Sequence, residues 1–204
     1  MCFHIKQSKD DVTLENRFHA RIERKEVVDA TKNYHAFTYP KTPIISNAND
    51  GLIQYYNWGL VPFWANDESV KKYNLNAKIE TLDEKQSFKT VVKKRCLIIA
   101  DGFYEWKWLD AKGKERQKYL ISLPDNRLFV LGGLWSKWTN KLTGEVQNTY
   151  TIVTTEANEL MCEIHNSKKR MPVILTEENE KAWLDNEPFE QFKHLEIELI
   201  AHQC

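Results

Sequence analysis

From Arg95 to Thr154 the chain repeats one device: a short run rich in Ile, Val, Leu, Tyr and Phe, then a turn. The runs are Arg95–Trp106, Gln117–Leu123, Leu128–Trp135 and Asn148–Thr154. The turn signals between them are Ala111-Lys112-Gly113, Pro124-Asp125-Asn126 and Thr143-Gly144, residue types that favour tight reversals for distinct backbone reasons. Upstream, Tyr34–Trp64 is rich in Pro, aromatic and β-branched residues, with a turn signal at Asn49-Asp50-Gly51, and reads as further strands. Helical signals are few. Leu14, Phe18 and Ile22 recur at i, i+4, i+8 behind cap candidates at Ser8–Asp11. Thr155–Ile164 reads as a second helix, and Thr176 caps a third with Glu177 and Glu178 at the positive end of its dipole. Around Asn76–Phe88 a helix and an irregular segment fit equally. The pattern predicts an α+β domain built on a mainly antiparallel, barrel-like sheet with a few flanking helices. No repeat, low-complexity tract or Gly/Ser linker interrupts it, so one continuous domain over residues 1–204 is expected.

Composition narrows the function. A chain of 204 residues and 24.1 kDa should bury about 70% of its unfolded surface, enough for a full core. No apolar run approaches the ~18 residues of a membrane span, and a signal-peptide h-region is absent, so a soluble cytoplasmic protein is expected. Lys and Arg number 29, as do Asp and Glu. That balance counts against a general polyanion binder but not against a local basic groove. It is also uneven: residues 160–204 hold 5 basic and 9 acidic groups, leaving residues 1–159 with a net charge of +4. Cys2, Cys96, Cys162 and Cys204 show neither C-x-x-C spacing nor a Cys/His ligand pattern, so no metal, cofactor or disulfide framework is expected.

Four places carry residues suited to chemistry. Cys2 follows the initiator Met; removal of that Met would leave an α-amine and a thiol on adjacent carbons, although a cysteine near a chain end is also unremarkable. Asn57-Trp58-Gly59-Leu60-Val61-Pro62-Phe63-Trp64 places two tryptophans in a Gly/Pro segment. Tryptophan is commonly core packing, yet an exposed pair on a loop forms a stacking platform for unpaired bases. Ala100-Asp101-Gly102-Phe103-Tyr104-Glu105-Trp106 sets Glu105 between aromatics behind an apolar strand. Such a setting desolvates a carboxyl and raises its pKa towards general acid/base use; a solvated strand face is the plainer alternative. Finally, His165 ends a helical stretch before Lys168-Lys169-Arg170-Met171-Pro172. A helix C-terminus favours the imidazolium, which predicts a raised pKa, while a lone histidine is more often structural.

Taken in order, these pieces resemble the SOS response-associated peptidase family. The motifs are Cys2, Trp58–Trp64, Asn76-Ala77-Lys78-Ile79-Glu80, Arg95 through Trp106, Gly133-Leu134-Trp135, Thr151–Asn158, and His165 with Arg170-Met171-Pro172, covering most of the chain. The resemblance implies a protein, monomeric as expected here, that crosslinks to abasic sites in single-stranded DNA. It implies a catalytic set of Cys2, Asn76, Glu105 and His165. It further implies DNA contacts from His4, Trp58, Trp64, Lys78, Trp106 and Arg170. Three departures stand out. The family commonly begins Met-Cys-Gly-Arg, whereas Phe3 and His4 follow Cys2 here; Lys78 replaces the arginine of the Asn-Ala-Arg motif; and Asn166–Lys169 widen the interval between His165 and Arg170. Lysine keeps the charge but loses the bidentate fork. Three other readings stay open: a cysteine peptidase using Cys2 and His165, an N-terminal-nucleophile amidotransferase, and a non-covalent single-strand-binding module.

Overall fold

A computed structural model describes residues 2–23 and 33–204. Its strands are β1 (His4–Lys6), β2 (Arg21–Ile22), β3 (Asn33–His35), β4 (Lys41–Ser46), β5 (Asn49–Trp58), β6 (Asn76–Lys78), β7 (Arg95–Ala100), β8 (Gly102–Trp108), β9 (Arg116–Ser122), β10 (Phe129–Thr139), β11 (Val146–Glu156), β12 (Arg170–Pro172), β13 (Ile174–Leu175) and β14 (Ile200–Gln203). The helices are α1 (Asp11–Phe18), α2 (Glu159–Ile164) and α3 (Glu177–Leu184). β9, β10 and β11 fall where the apolar runs and turn residues predict them, whereas the run Arg95–Trp106 is broken at Asp101 into β7 and β8, which join different sheets.

The antiparallel neighbours β5–β4–β7–β10–β11 form the main sheet. A short parallel pairing of β11 with β5, Thr149 opposite Asn57 and Tyr150 opposite Trp58, closes those five strands into a barrel. Closure removes the exposed edges an open sheet would leave. The chain leaves this seam through Gly59 at φ +117, a backbone conformation suited to glycine. A Cβ there would also lie 3.1 Å from both Lys71 and Tyr39. A second sheet runs β14-β9-β8-β1-β3.

Only Asp101 separates β7, a barrel strand, from β8, in the second sheet. Its buried carboxylate accepts from Lys6 Nζ at 2.9 Å and from the Ser8 hydroxyl, which pins the corner to the end of β1 and the chain just after it. β7 is buried along its whole length. Its alternating side chains serve two cores, Cys96 and Ile98 on one side, Leu97 and Ile99 on the other. The second core is capped by α3, whose Trp183 is wholly buried and donates to Cys96 O at 3.1 Å.

Local differences from the sequence reading have physical causes. The first helix stops at His19, which takes the left-handed conformation (φ 49), so Ile22 joins β2 instead of the helix. The hairpin after β4 turns at Asn47-Ala48, and Asn49-Asp50-Gly51 begins β5. Asn47 suits that corner because its side chain donates to Lys93 O at 2.8 Å and accepts from Arg95 N at 3.1 Å. Thr155 and Glu156 extend β11, and α2 begins after Asn158, whose side chain caps Met161 N at 2.9 Å. Asn76–Phe88 takes the irregular alternative, a three-residue strand followed by 3₁₀ and other turns. Thr176 is the N-cap of α3, yet its hydroxyl accepts from the Asn179 side chain and not from a backbone amide.

Candidate active site where the sheets meet

β1 pairs with β8 through His4–Tyr104, Ile5–Phe103 and Lys6–Gly102. This register delivers the start of the chain to the strand that carries Glu105. Cys2 is wholly buried in the barrel-side core, with Sγ 3.7 Å from His4 O. From the other side, Asn76 on β6 donates its amide to Cys2 O at 2.9 Å. β6 is held in place by parallel pairing with β11. Asn76 Oδ1 is buried and has no hydrogen-bond partner among the described residues, leaving an acceptor beside Cys2.

Glu105 is 5% exposed, and burial pushes its carboxyl up to about 7. Burial likewise pushes the Cys2 thiol far above the ordinary thiol range, and the negative charge of Glu105 adds to that. The thiol is therefore held protonated. His165 follows the last turn of α2, where its Nδ1 lies 2.7 Å from Arg170 O. A carbonyl only accepts, so Nδ1 carries the proton and a neutral ring keeps its lone pair on Nε2. The Arg170 amide, 3.4 Å from the same nitrogen, is the weaker contact. The raised pKa expected for His165 is corrected: desolvation, with nearby positive charge including that of Lys168, lowers it to about 4.

Glu105 and His165 open onto one cleft of about 190 Å³, lined also by Phe3, Trp106, Trp108, Arg116, Ser167 and Lys168. A larger groove of about 590 Å³, with Tyr39, Lys41, Lys71 and Glu145 on its walls, contains none of Cys2, Glu105 and His165. The four residues expected to be catalytic form two pairs, Cys2 with Asn76 through a hydrogen bond and Glu105 with His165 along the cleft; the charge of Glu105 reaches the Cys2 thiol, while Cys2 and Asn76 do not line the cleft itself. The sequence reading missed Arg116 and Trp108, which stack cation over ring at 5.4 Å. It also gave Lys168 no role; the widened interval after His165 is the signal that points to it.

The residues expected to contact DNA divide. Trp106 lines the cleft. Lys78 is exposed at the end of β6, and Trp64 is 39% exposed on the loop beyond β5. Trp58 is corrected: it is fully buried, stacks on Tyr150 and donates to Leu75 O at 2.8 Å, so it closes the barrel and offers no face to a base. Burial lowers the His4 pKa to about 4, so His4 would offer a phosphate an uncharged N–H and no positive charge near neutrality. Arg170 is spoken for within the protein. It makes a bidentate pair with Glu80 at 2.8 and 2.9 Å and donates to Thr154 O at 2.7 Å. It holds β12, and with it the carbonyl that orients His165.

Residues 1–202 match the family model described as SOS response associated peptidase (SRAP). The abasic site processing protein YoqW of Bacillus subtilis (strain 168) is 49% identical over 143 residues, 70% of this chain and 61% of YoqW. The abasic site processing protein HMCES of Gallus gallus is 32% identical over 164 residues, 69% of this chain and 47% of HMCES. The matched region therefore spans less than two thirds of either relative. A crystal structure of a protein from Bacteroides thetaiotaomicron superposes with a TM-score of 0.90 at 33% identity, over 99% of this chain and 91% of that one. No helix among the described residues is long and apolar enough to cross a membrane.

Proposed function

The chain belongs to the SOS response associated peptidase family, and from that premise we propose that it processes abasic sites in single-stranded DNA by covalent capture on Cys2 once Met1 is removed. An abasic deoxyribose opens to an aldehyde. The α-amine of Cys2 adds to the aldehyde carbon, and loss of water gives an imine. The thiol then adds to the imine carbon, its proton passing to nitrogen, and a thiazolidine ring results. An N-terminal cysteine places both nucleophiles on adjacent carbons, so the ring closes without a further reactant. The carrying observation is the buried carboxyl of Glu105, held near 7 beside the cleft. At that value it donates and accepts protons with similar ease, as addition and dehydration require. Neutral His165, with Nε2 as acceptor, assists opening of the sugar. Asn76 fixes the backbone of the nucleophilic residue.

The same electrostatics weigh against a thiolate peptidase. Such an enzyme needs an ionised thiol beside an imidazolium, whereas burial here favours neutral thiol and neutral ring. The amidotransferase reading has no substrate-clamp motif in its support. The non-covalent reading parts from ours on one outcome, the survival of the complex under denaturation.

Protein shown by mass spectrometry to begin at Cys2 is incubated with an oligonucleotide carrying a single aldehydic abasic site and run on a denaturing gel. A shifted band is expected, and it should vanish with Cys2→Ala. No band from the Met-processed protein would defeat the proposal, and retained native-gel binding would then favour the non-covalent module.

A further inference from the structure

Beside the cleft stands an arc of rings that the capture chemistry leaves unused. It starts at Phe3, a lining residue. The Phe3 ring lies 5.0 Å from that of Phe37, tilted by 33°. Phe37 lies 5.4 Å from His35, His35 3.9 Å from His4, and His4 4.9 Å from Trp106, which lines the cleft again. The arc therefore begins and ends at the site.

Phe37 is 53% exposed although it sits in an anchored 3₁₀ turn, Ala36–Thr38. Ala36 is wholly buried and its amide donates to Phe3 O at 2.8 Å. The Thr38 hydroxyl donates to His35 O at 2.8 Å. A phenyl ring held outward on a fixed turn contributes little to the core and presents a flat apolar face. Cations border the arc. Lys118 Nζ lies 4.0 Å over Tyr104 and 5.8 Å from Trp106, and Arg116 and Lys168 stand on the cleft wall. Ring faces flanked by cations are what a single strand needs, bases on the rings and phosphates on the charges. The rings themselves carry no charge near neutral pH where His4 is concerned, so the centre of the arc suits a base better than a phosphate.

We propose that Phe3 and Phe37 form a stacking step for the unpaired base next to the abasic site, so that a flanking purine is bound more tightly than a flanking pyrimidine or a base-free position. This rests on the reading of the cleft as an abasic-site pocket. Purines offer the larger π-face, and stacking on an aromatic side chain contributes on the order of 1–3 kcal/mol per base.

The test uses oligonucleotides with a tetrahydrofuran abasic analogue, which has no aldehyde and cannot be captured. They are flanked on either side by dA, by dT or by a second tetrahydrofuran, and binding is followed by fluorescence anisotropy. For the flank that meets the arc, dA should bind about tenfold more tightly than the base-free neighbour, with dT between. Phe37→Ala should bring the three within about twofold, Phe37→Tyr should preserve the order, and Phe3→Leu should weaken it. Binding by the unaltered protein that ignores both flanks would overturn the proposal. So would a purine preference that survives Phe37→Ala and Phe3→Leu, or no binding at all. A missing adduct with aldehydic DNA would instead count against covalent capture while leaving the stacking result intact.

Discussion

Arg95 and Glu105 are two charged groups buried on consecutive strands, 3% and 5% exposed, and burial acts on them with opposite consequences. Arg95 lies against Phe189 at 4.0 Å and Trp183 at 4.8 Å, and donates to Glu187 O at 2.7 Å and Trp183 O at 3.3 Å. Desolvation lowers its pKa to about 10, still well above neutrality. The charge stays, and carbonyl dipoles and ring faces hold it as a structural rivet under α3. Glu105 meets the same desolvation from a starting point much nearer neutrality, and its carboxyl arrives at about 7. There the charge is undecided at physiological pH, beside a cleft where a proton can be used. Burial fixes one group and makes the other reactive; the distance of each from neutrality decides which.

The largest effect should separate these roles outright. Glu105→Gln is expected to slow adduct formation by about 10²–10³-fold, within the range for loss of a general acid/base, without lowering the melting temperature. Capture needs a neutral amine, whose ordinary pKa is about 7.7–8.0, and a protonated carboxyl at about 7. The rate of the unaltered protein should therefore peak between those values and fall on either side, and the Gln variant should lose the alkaline fall. A rate–pH profile of both proteins checks this.

Arg95→Leu should do the reverse. It strands buried carbonyls and strips the ring faces of their cation, for a loss of about 3 kcal/mol. In a chain of this size that is a fall of roughly 6–12 °C in melting temperature. Crosslinking per folded molecule should be unchanged. Gly133→Ala probes the packing under α3, where Gly133 O accepts from Trp183, by overpacking. A Cβ there would come within 2.3 Å of Ile98 Cδ1 and 2.8 Å of Thr151 O. About 1–3 kcal/mol of destabilisation is expected, read from a denaturant midpoint.

The smallest effect concerns acid. His4 and His165 have their pKa values lowered from 6.5 to about 4. The unfolded chain binds protons on these rings more readily, so stability should decline as pH falls from about 6.5 towards 4. Glu105 works with the opposite sign, since its contribution is full below 4.5 and lost as pH rises to about 7. Thermal melts of His165→Asn across this window should show a shallower acid decline than the unaltered protein.

Much of the barrel was legible because β7, β10 and β11 carry long apolar runs, with turn residues before and between β10 and β11. Glu105 was legible as a carboxyl behind an apolar strand, although its chain neighbours Tyr104 and Trp106 both lie against Lys118 and strand alternation turns Glu105 to the other face of β8. The misreadings share a different cause, partners distant in sequence. Trp58 finds Leu75 O across the barrel seam, and nothing near it in the chain says that a Gly/Pro segment is where the barrel closes. Arg170 meets Glu80, 90 residues away. His165 was placed correctly at a helix end, but its desolvation depends on surroundings that no dipole argument from one helix contains.

The assignment of roles turns on which nucleophile takes the lesion. The adduct formed with aldehydic abasic DNA should be digested with nuclease and trypsin and its peptides sequenced by mass spectrometry. The sugar remnant is expected on the peptide Cys2–Lys6, with both the α-amine and the thiol consumed. A remnant on a lysine of the cleft wall, such as Lys168, with Cys2 unmodified, would contradict capture by the chain's first cysteine.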